Sequence, residues 1–158
     1  GQADQDVALD VSDLKNGDIL IRLALIYRGR AIPVSWRVMA HNSTTVAYRD
    51  YKIVLKQALL VLPPGREIVL LADRGFVHRN LVKFCRSHQW QYRLRAKSST
   101  VFKLSDRRVT NFGKLCSPLG AAHSYQTVSI LGKKIGPVHI ALANPGGDDD
   151  PLSVFSEY

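Results

Sequence analysis

Residues 19–27 form a nearly continuous apolar run that only Arg22 interrupts. This pattern predicts a strand that is buried on both faces of a sheet. Arg28-Gly29-Arg30 then predicts a hairpin turn, and residues 31–39 predict the returning strand. No run of about 18 apolar residues occurs anywhere in the sequence, so no segment is expected to span a membrane.

The segments around this hairpin predict further strands and a helix. Residues 7–12 alternate with strand period and place Asp10 on the face opposite the large apolar side chains. Asn42-Ser43 offers a helix N-cap, and apolar residues then recur at helical spacing. Pro63-Pro64-Gly65 predicts the end of that helix.

The middle of the chain continues the alternation of strands and helices. Residues 68–72 predict a short buried strand that ends at Asp73, and residues 78–89 predict a second helix with Arg79 on its polar face. Residues 91–97 alternate strictly between apolar and basic side chains. They predict a half-buried strand whose outer face carries Arg93, Arg95 and Lys97.

The order of these elements is three strands, a helix, a strand, a helix and a strand. This order is typical of a ribonuclease-H-like core. We therefore predict an α/β fold, with a ribonuclease-H-like mixed sheet flanked by helices over residues 1–97 and a β-rich insertion or extension over residues 98–158. In such a fold the first strand lies beside the strand that follows the first helix, so Asp10 and Asp73 are expected to lie close together.

Charge is distributed unevenly along the chain. The net charge is +9, yet residues 74–114 carry eleven basic side chains and Asp106 as their only acid. Residues 1–18 carry five Asp and a single Lys. Nucleic acid together with a divalent cation would use both regions. A solvated basic surface without an acidic partner is the alternative, and composition does not decide between them.

Asp10 and Asp73 are the candidate metal ligands. Two neighbouring carboxylates repel each other, and a divalent cation removes that cost. Mg²⁺ prefers hard oxygen ligands and keeps several waters, so few protein ligands suffice. The alternative for each Asp is a turn or cap residue. The histidines and the two cysteines lack metal-ligand spacing, and we expect both cysteines and both tryptophans to be core residues.

Four segments resemble DDE transposases of bacterial insertion sequences. Residues 8–12 (ALDVS) are similar to the motif of the first catalytic Asp, and residues 26–36 (IYRGRAIPVSW) are similar to the hairpin that follows it. Residues 70–76 (LLADRGF) resemble the motif of the second Asp, and residues 90–97 (WQYRLRAK) resemble a segment further downstream. The order and spacing of all four agree with the family, and beyond residue 97 the resemblance is loose.

The resemblance implies metal-dependent DNA transposition, in which strands are cut at transposon ends and the freed 3′-hydroxyl attacks target DNA. Asp10 and Asp73 would be the catalytic residues and would hold Mg²⁺ or Mn²⁺. Arg74 would approach a phosphate, with a structural salt bridge as the alternative. The remaining expected DNA contacts are Arg79, Arg93, Arg95 and Lys97.

The resemblance also implies partners and a location. The expected partner is double-stranded DNA, both transposon ends and target, and the intact parent protein is expected to form a homodimer. The expected location is the bacterial cytoplasm, in association with the nucleoid. No association with a membrane is expected.

The sequence departs from the family at its end. The family's catalytic Glu follows a Tyr that Tyr158 resembles, and the sequence stops there; Glu157 precedes that Tyr and does not match the ligand. The first residue is not Met, and we interpret the chain as part of a longer protein. We expect this fragment alone not to cut DNA. The alternatives are a nuclease of the same fold and a nucleic-acid-binding remnant without catalysis.

Overall fold

The computed structural model describes residues 4–40, 46–146 and 151–157. The chain divides into two compact units, Gly1–Tyr92 and Arg93–Tyr158. The first unit begins with three strands, β1 (Gln5–Asp13), β2 (Asp18–Tyr27) and β3 (Arg30–Ala40). They are followed by helix α1 (Tyr48–Val61), strand β4 (Ile68–Ala72), a 3-10 turn (Arg74–Phe76) and helix α2 (Arg79–Ser87). Strand β5 (Gln91–Arg95) contains the unit boundary, and the second unit continues with β6 (Val101–Lys103), β7 (Val109–Asn111), β8 (Ala122–Ile130), β9 (Ile135–Ala143) and β10 (Leu152–Ser156).

The predicted ribonuclease-H-like α/β fold is wrong for this chain. The described strands form one ten-stranded mixed sheet in the order β3-β2-β1-β4-β5-β10-β9-β8-β6-β7. Strands make up 48% of the described residues and helices 18%, so the sheet is not flanked by helices as predicted. The physical reason lies in residues 98–158, which we treated as an insertion. In the described part of this region, short strands extend the sheet and no helix occurs that could cover it.

Pairing in the first unit follows the predicted strands. β1 is antiparallel to β2 and parallel to β4. β2 and β3 form the predicted hairpin, whose turn residues Arg28 and Gly29 have φ values of 50° and 73°. Two adjacent left-handed residues are typical of the tight turns that join antiparallel strands. A shift in register between Leu23 and Ala24 interrupts the hairpin ladder.

Helix α1 packs on one face of this sheet. Tyr51, Val54, Leu55 and Ala58 are buried along one side of the helix. The Ser35 hydroxyl on β3 donates a 2.7 Å hydrogen bond to the Val54 carbonyl oxygen. We call the face of β1, β2 and β3 on which α1 packs the covered face. Its buried members include Val7, Leu9, Ile21, Leu23 and Ser35.

The ends of α1 were predicted in part. Pro63-Pro64-Gly65 follows the helix as expected, since α1 ends at Val61. The predicted N-cap Asn42-Ser43 lies outside the described residues. Ala47 occupies the N-cap position and offers no side-chain hydrogen bond. The helix is therefore positioned by its packing and not by a capping side chain in the described part of the chain.

The opposite face of β1, β2 and β3 is more exposed than the sequence predicted. We call it the open face; its members are Asp10, Ser12, Leu20, Arg22, Trp36 and Val38. Trp36 is 58% exposed and Val38 54% exposed, so the prediction of Trp36 as a core residue is wrong. Trp90 is a core residue as predicted, with 6% exposure. Burial of residues 19–27 on both faces is also wrong, because Ile26 and Tyr27 are exposed.

The second unit has its own core. Phe102 and Phe112 pack with ring centroids 4.7 Å apart, and Leu94, Ile140 and Phe155 are fully buried.

The predicted alternation of residues 91–97 is confirmed. Tyr92, Leu94 and Ala96 are buried, whereas Arg93 and Lys97 are exposed and Arg95 is half-buried. Cys116 is exposed, contrary to prediction, whereas Cys85 in the first unit is buried as predicted.

Candidate functional site

The parallel pairing of β1 and β4 brings the backbones of the two candidate acidic residues to neighbouring positions. The pairs run from Gln5 opposite Ile68 to Leu9 opposite Ala72. The next residue on β1 is Asp10, and the residue that follows β4 is Asp73. Because neighbouring strands lie about 4.8 Å apart, the two Asp backbones lie on the order of 5 Å from each other.

Asp10 lies opposite Arg22 on the neighbouring strand β2. Its Oδ2 atom is 3.6 Å from Nη2 of Arg22, and the two side chains are 58% and 35% exposed respectively. An ion pair this exposed stabilises the fold by only about 0–1 kcal/mol. The Arg22 guanidinium nevertheless balances the negative charge of Asp10. A metal cation that binds Asp10 therefore competes with Arg22.

Asp73 also has a structural role. Its Oδ1 atom accepts a 2.7 Å hydrogen bond from the Arg74 backbone N–H, and its carbonyl oxygen accepts one of 2.9 Å from the Phe76 N–H. Asp73 is therefore the N-cap of the 3-10 turn, which was the alternative that the sequence left open. A carboxylate has about four lone-pair sites, so this bond leaves the remaining sites of an exposed side chain available.

Helix α1 holds the segment that carries Asp73 and Arg74. The Tyr51 hydroxyl donates a 3.1 Å hydrogen bond to the Phe76 carbonyl oxygen, and the two rings meet edge to face at 5.2 Å. Burial raises the pKa of Tyr51 above its ordinary value, which keeps this donor protonated. One turn earlier, the Tyr48 ring stacks on His78 at 5.5 Å. These contacts fix the segment between β4 and α2.

His78 begins helix α2 and orients Arg79. Its Nδ1 atom accepts a 3.1 Å hydrogen bond from the Asn80 N–H, so His78 is the N-cap of the helix. Arg79 is the first helical residue and is exposed. Leu81, Phe84 and Cys85 are buried on the other side, which confirms the predicted polar and apolar faces.

The donor set at Asp10 and Asp73 fits one class of cation. Within the described ranges, no group of three or more His, Cys, Asp or Glu side chains lies close enough to hold a metal ion. Two carboxylates are hard oxygen donors without a thiolate or imidazole partner. They suit Mg²⁺ or Mn²⁺, which keep several water ligands, and not the four-ligand site of structural zinc.

The remaining predicted DNA contacts lie in the second unit. Arg93, Arg95 and Lys97 share the unburied face of β5 and the residues after it. On the neighbouring strand β10, Ser156 lies opposite Arg93 and Val154 lies opposite Arg95. The structure thus gathers Asp10, Asp73 and Arg74 in the first unit and gathers these three cations in the second.

Sequence reasoning missed two residues of the open face. Arg22 was treated only as an interruption of an apolar run, and Trp36 was assigned to the core. Their proximity to Asp10 follows from strand register, with Asp10 opposite Arg22 and Arg22 opposite Trp36. The hairpin turn at Arg28-Gly29 could not have fixed this register in advance, because the shift between Leu23 and Ala24 lies between the turn and these residues.

Comparison with known proteins adds no family assignment. No protein-family model matches the chain, and no curated protein is significantly similar to it. The resemblance to DDE transposases therefore stays a prediction. None of the helices in the described ranges combines the length and apolar character that crossing a bilayer requires.

Proposed function

We propose that this chain belongs to a DDE transposase and takes part in metal-dependent cleavage and transfer of DNA strands. One observation carries the proposal, the parallel register of β1 and β4 that makes Asp10 and Asp73 neighbours. The four motif resemblances support it, since two of them contain these residues. The proposed location is the bacterial cytoplasm, at the nucleoid.

Asp10 and Asp73 would hold Mg²⁺ or Mn²⁺ through their free carboxylate oxygens. When bound, such ions activate an attacking oxygen and stabilise a leaving oxygen at a phosphodiester. Arg74 follows Asp73 directly and is exposed, so its guanidinium can contact a phosphate at the same place. Tyr51 fixes the segment that carries both residues, through its bond to Phe76.

Double-stranded DNA is the proposed macromolecular partner. Arg79 in the first unit and Arg93, Arg95 and Lys97 in the second would contact backbone phosphates. Contacts of this kind position DNA without reading its sequence, and they weaken as the salt concentration rises. The net charge of +9 favours such binding.

A second candidate function is nucleic-acid binding without catalysis. The observation that favours it is that each carboxylate already has a protein partner, Arg22 for Asp10 and the Arg74 N–H for Asp73. Both acids could then serve only the fold. Metal binding separates this candidate from the first, because DNA binding is common to both.

The test is titration of the 158-residue chain with Mn²⁺, followed by electron paramagnetic resonance of the free ion. We expect one class of site that Asp10→Asn and Asp73→Asn each weaken at least about tenfold, since even indirect partners of a ligand cost about 10–100-fold. Asp13→Asn is the matched control, on the same strand but on the other face. Binding that neither active-site variant changes would reject the proposal, and DNA binding without any Mn²⁺ site would support the second candidate.

A further inference from the structure

The open face places an aromatic ring, a cation and a carboxylate in one row. Asp10 pairs with Arg22, and Arg22 pairs with Trp36, so the three residues occupy matching positions on β1, β2 and β3. Paired residues of neighbouring strands project to the same side of a sheet. Two strand spacings separate Trp36 from Asp10, which is about 10 Å.

Trp36 is unusual in its exposure. Large aromatic side chains are mostly buried, yet Trp36 is 58% exposed. Val38, two residues further on the same face, is 54% exposed and lies opposite half-buried Leu20. An exposed apolar surface of this kind, bordered by charged residues, is typical of a binding site.

The charges nearby favour a phosphate-bearing partner. Residues 19–40 contain four Arg and no acidic residue. Arg22 lies directly between Trp36 and Asp10 in the strand register. Its guanidinium has five N–H donors, so it can contact a phosphate while it remains near Asp10.

We propose that the open face binds an unpaired nucleotide, whose base stacks on Trp36 while an adjacent phosphate contacts Arg22. This inference rests on the proposed function, because it specifies the form of nucleic acid that the Asp10–Asp73 site receives. In a duplex the faces of the bases are stacked inside, so an exposed indole gains stacking only from an unpaired base.

Tryptophan fluorescence provides the test, since the chain has two Trp and only Trp36 is exposed. We expect a short oligothymidylate, added to the full chain in EDTA, to quench the Trp36 emission. Trp36→Phe should abolish that quenching while the emission of Trp90 remains. Anisotropy of a labelled oligothymidylate should show that Trp36→Ala weakens single-strand binding by roughly 5- to 150-fold, the range for loss of one base stack.

Controls separate stacking from general charge and from folding. Trp36→Ala should leave the affinity for blunt duplex DNA unchanged, and Lys56→Ala, an exposed cation on α1, should leave single-strand binding nearly unchanged. Circular dichroism establishes that each variant is folded. Equal losses for single-stranded and duplex DNA on Trp36→Ala would overturn the inference, as would oligothymidylate binding without quenching or no binding at all.

The same measurements distinguish this inference from the proposed function. Single-strand binding could depend on Trp36 while no Mn²⁺ site is found at Asp10 and Asp73. That result would support nucleotide binding on the open face and reject the metal chemistry. An Mn²⁺ site at Asp10 and Asp73, with no effect of Trp36→Ala on DNA binding, would support the metal chemistry and reject nucleotide binding on the open face. A dimer in sedimentation that dissociates on Trp36→Ala would assign the open face to a second copy of the chain and overturn the inference.

Discussion

The covered and open faces of β1, β2 and β3 are built from alternate residues of the same strands and differ sharply. On the covered face, Leu23 is fully buried and the Ser35 hydroxyl bonds to helix α1. On the open face, Arg22 pairs with Asp10 and Trp36 is exposed. The difference indicates that the covered face supplies the stability of the unit, whereas the open face is available to a partner.

The largest expected effect is a loss of stability on the covered face. Leu23→Ala removes a fully buried side chain and should lower the free energy of unfolding by about 2–5 kcal/mol. Urea denaturation followed by circular dichroism measures this loss. Trp36→Ala on the open face is the comparison, and it should cost far less because Trp36 is already 58% exposed. Similar losses for both variants would break the distinction between the faces.

Tyr51→Phe tests the bond between α1 and the segment that carries Asp73. It leaves the ring in place and removes the hydroxyl that donates to the Phe76 carbonyl oxygen. Loss of a partner for a buried acceptor costs about 1–3 kcal/mol. The urea midpoint should fall accordingly, and Mn²⁺ affinity should fall with it. An unchanged Mn²⁺ affinity would show that the segment is fixed without this bond.

Arg22→Gln should change ligand binding more than stability. The variant removes the cation that competes for Asp10, and an exposed ion pair is worth about 0–1 kcal/mol. Mn²⁺ should therefore bind more tightly, by up to about fivefold, while the urea midpoint stays nearly constant. Isothermal titration calorimetry measures the affinity. Weaker Mn²⁺ binding would mean that Arg22 positions Asp10 instead of competing for it.

The smallest expected effect concerns Asp106 in the second unit. The backbone N–H of Arg108 and then its guanidinium donate to this carboxylate, at 3.0 and 2.6 Å, and lower the pKa of Asp106. Since the folded-state pKa is lowered, the stabilisation is present at neutral pH and is lost as the pH falls through the folded-state value. Asp106→Asn should slightly lower the urea midpoint at neutral pH and not in strong acid. A difference that grows on acidification would contradict this sign.

Local patterns in the sequence predicted the elements better than their assembly. Strict alternation over residues 91–97 and the break at Pro63-Pro64-Gly65 report on local geometry, and both predictions were confirmed. Strand β10 (Leu152–Ser156) was not predicted, because its buried positions are Ser153 and Phe155, so its sequence does not alternate between polar and apolar residues as its burial does. The ten-stranded sheet depends on long-range pairing that no local pattern contains.

The residues of the candidate site were likewise predicted only in part from the sequence. Asp10 and Asp73 were found from their motifs, and the expectation that they lie on neighbouring strands agrees with the register of β1 and β4. Trp36 was misassigned because an aromatic residue in an apolar strand is usually buried. Which face of a strand α1 covers depends on where the helix docks. The period of the strand reveals only that its two faces differ.

The position of β3 at one end of the strand order has a consequence for self-association. A long edge strand can template pairing with another chain and so promote aggregation. Pro33 lies within β3 and has no N–H to donate, and the nearby shift in register between Leu23 and Ala24 disturbs a regular edge. Arg30 and Arg37 add positive charge on the same strand. Two copies that approached edge to edge would therefore meet a missing donor, an irregular ladder and like charges, which disfavours their growth into a continuous fibril.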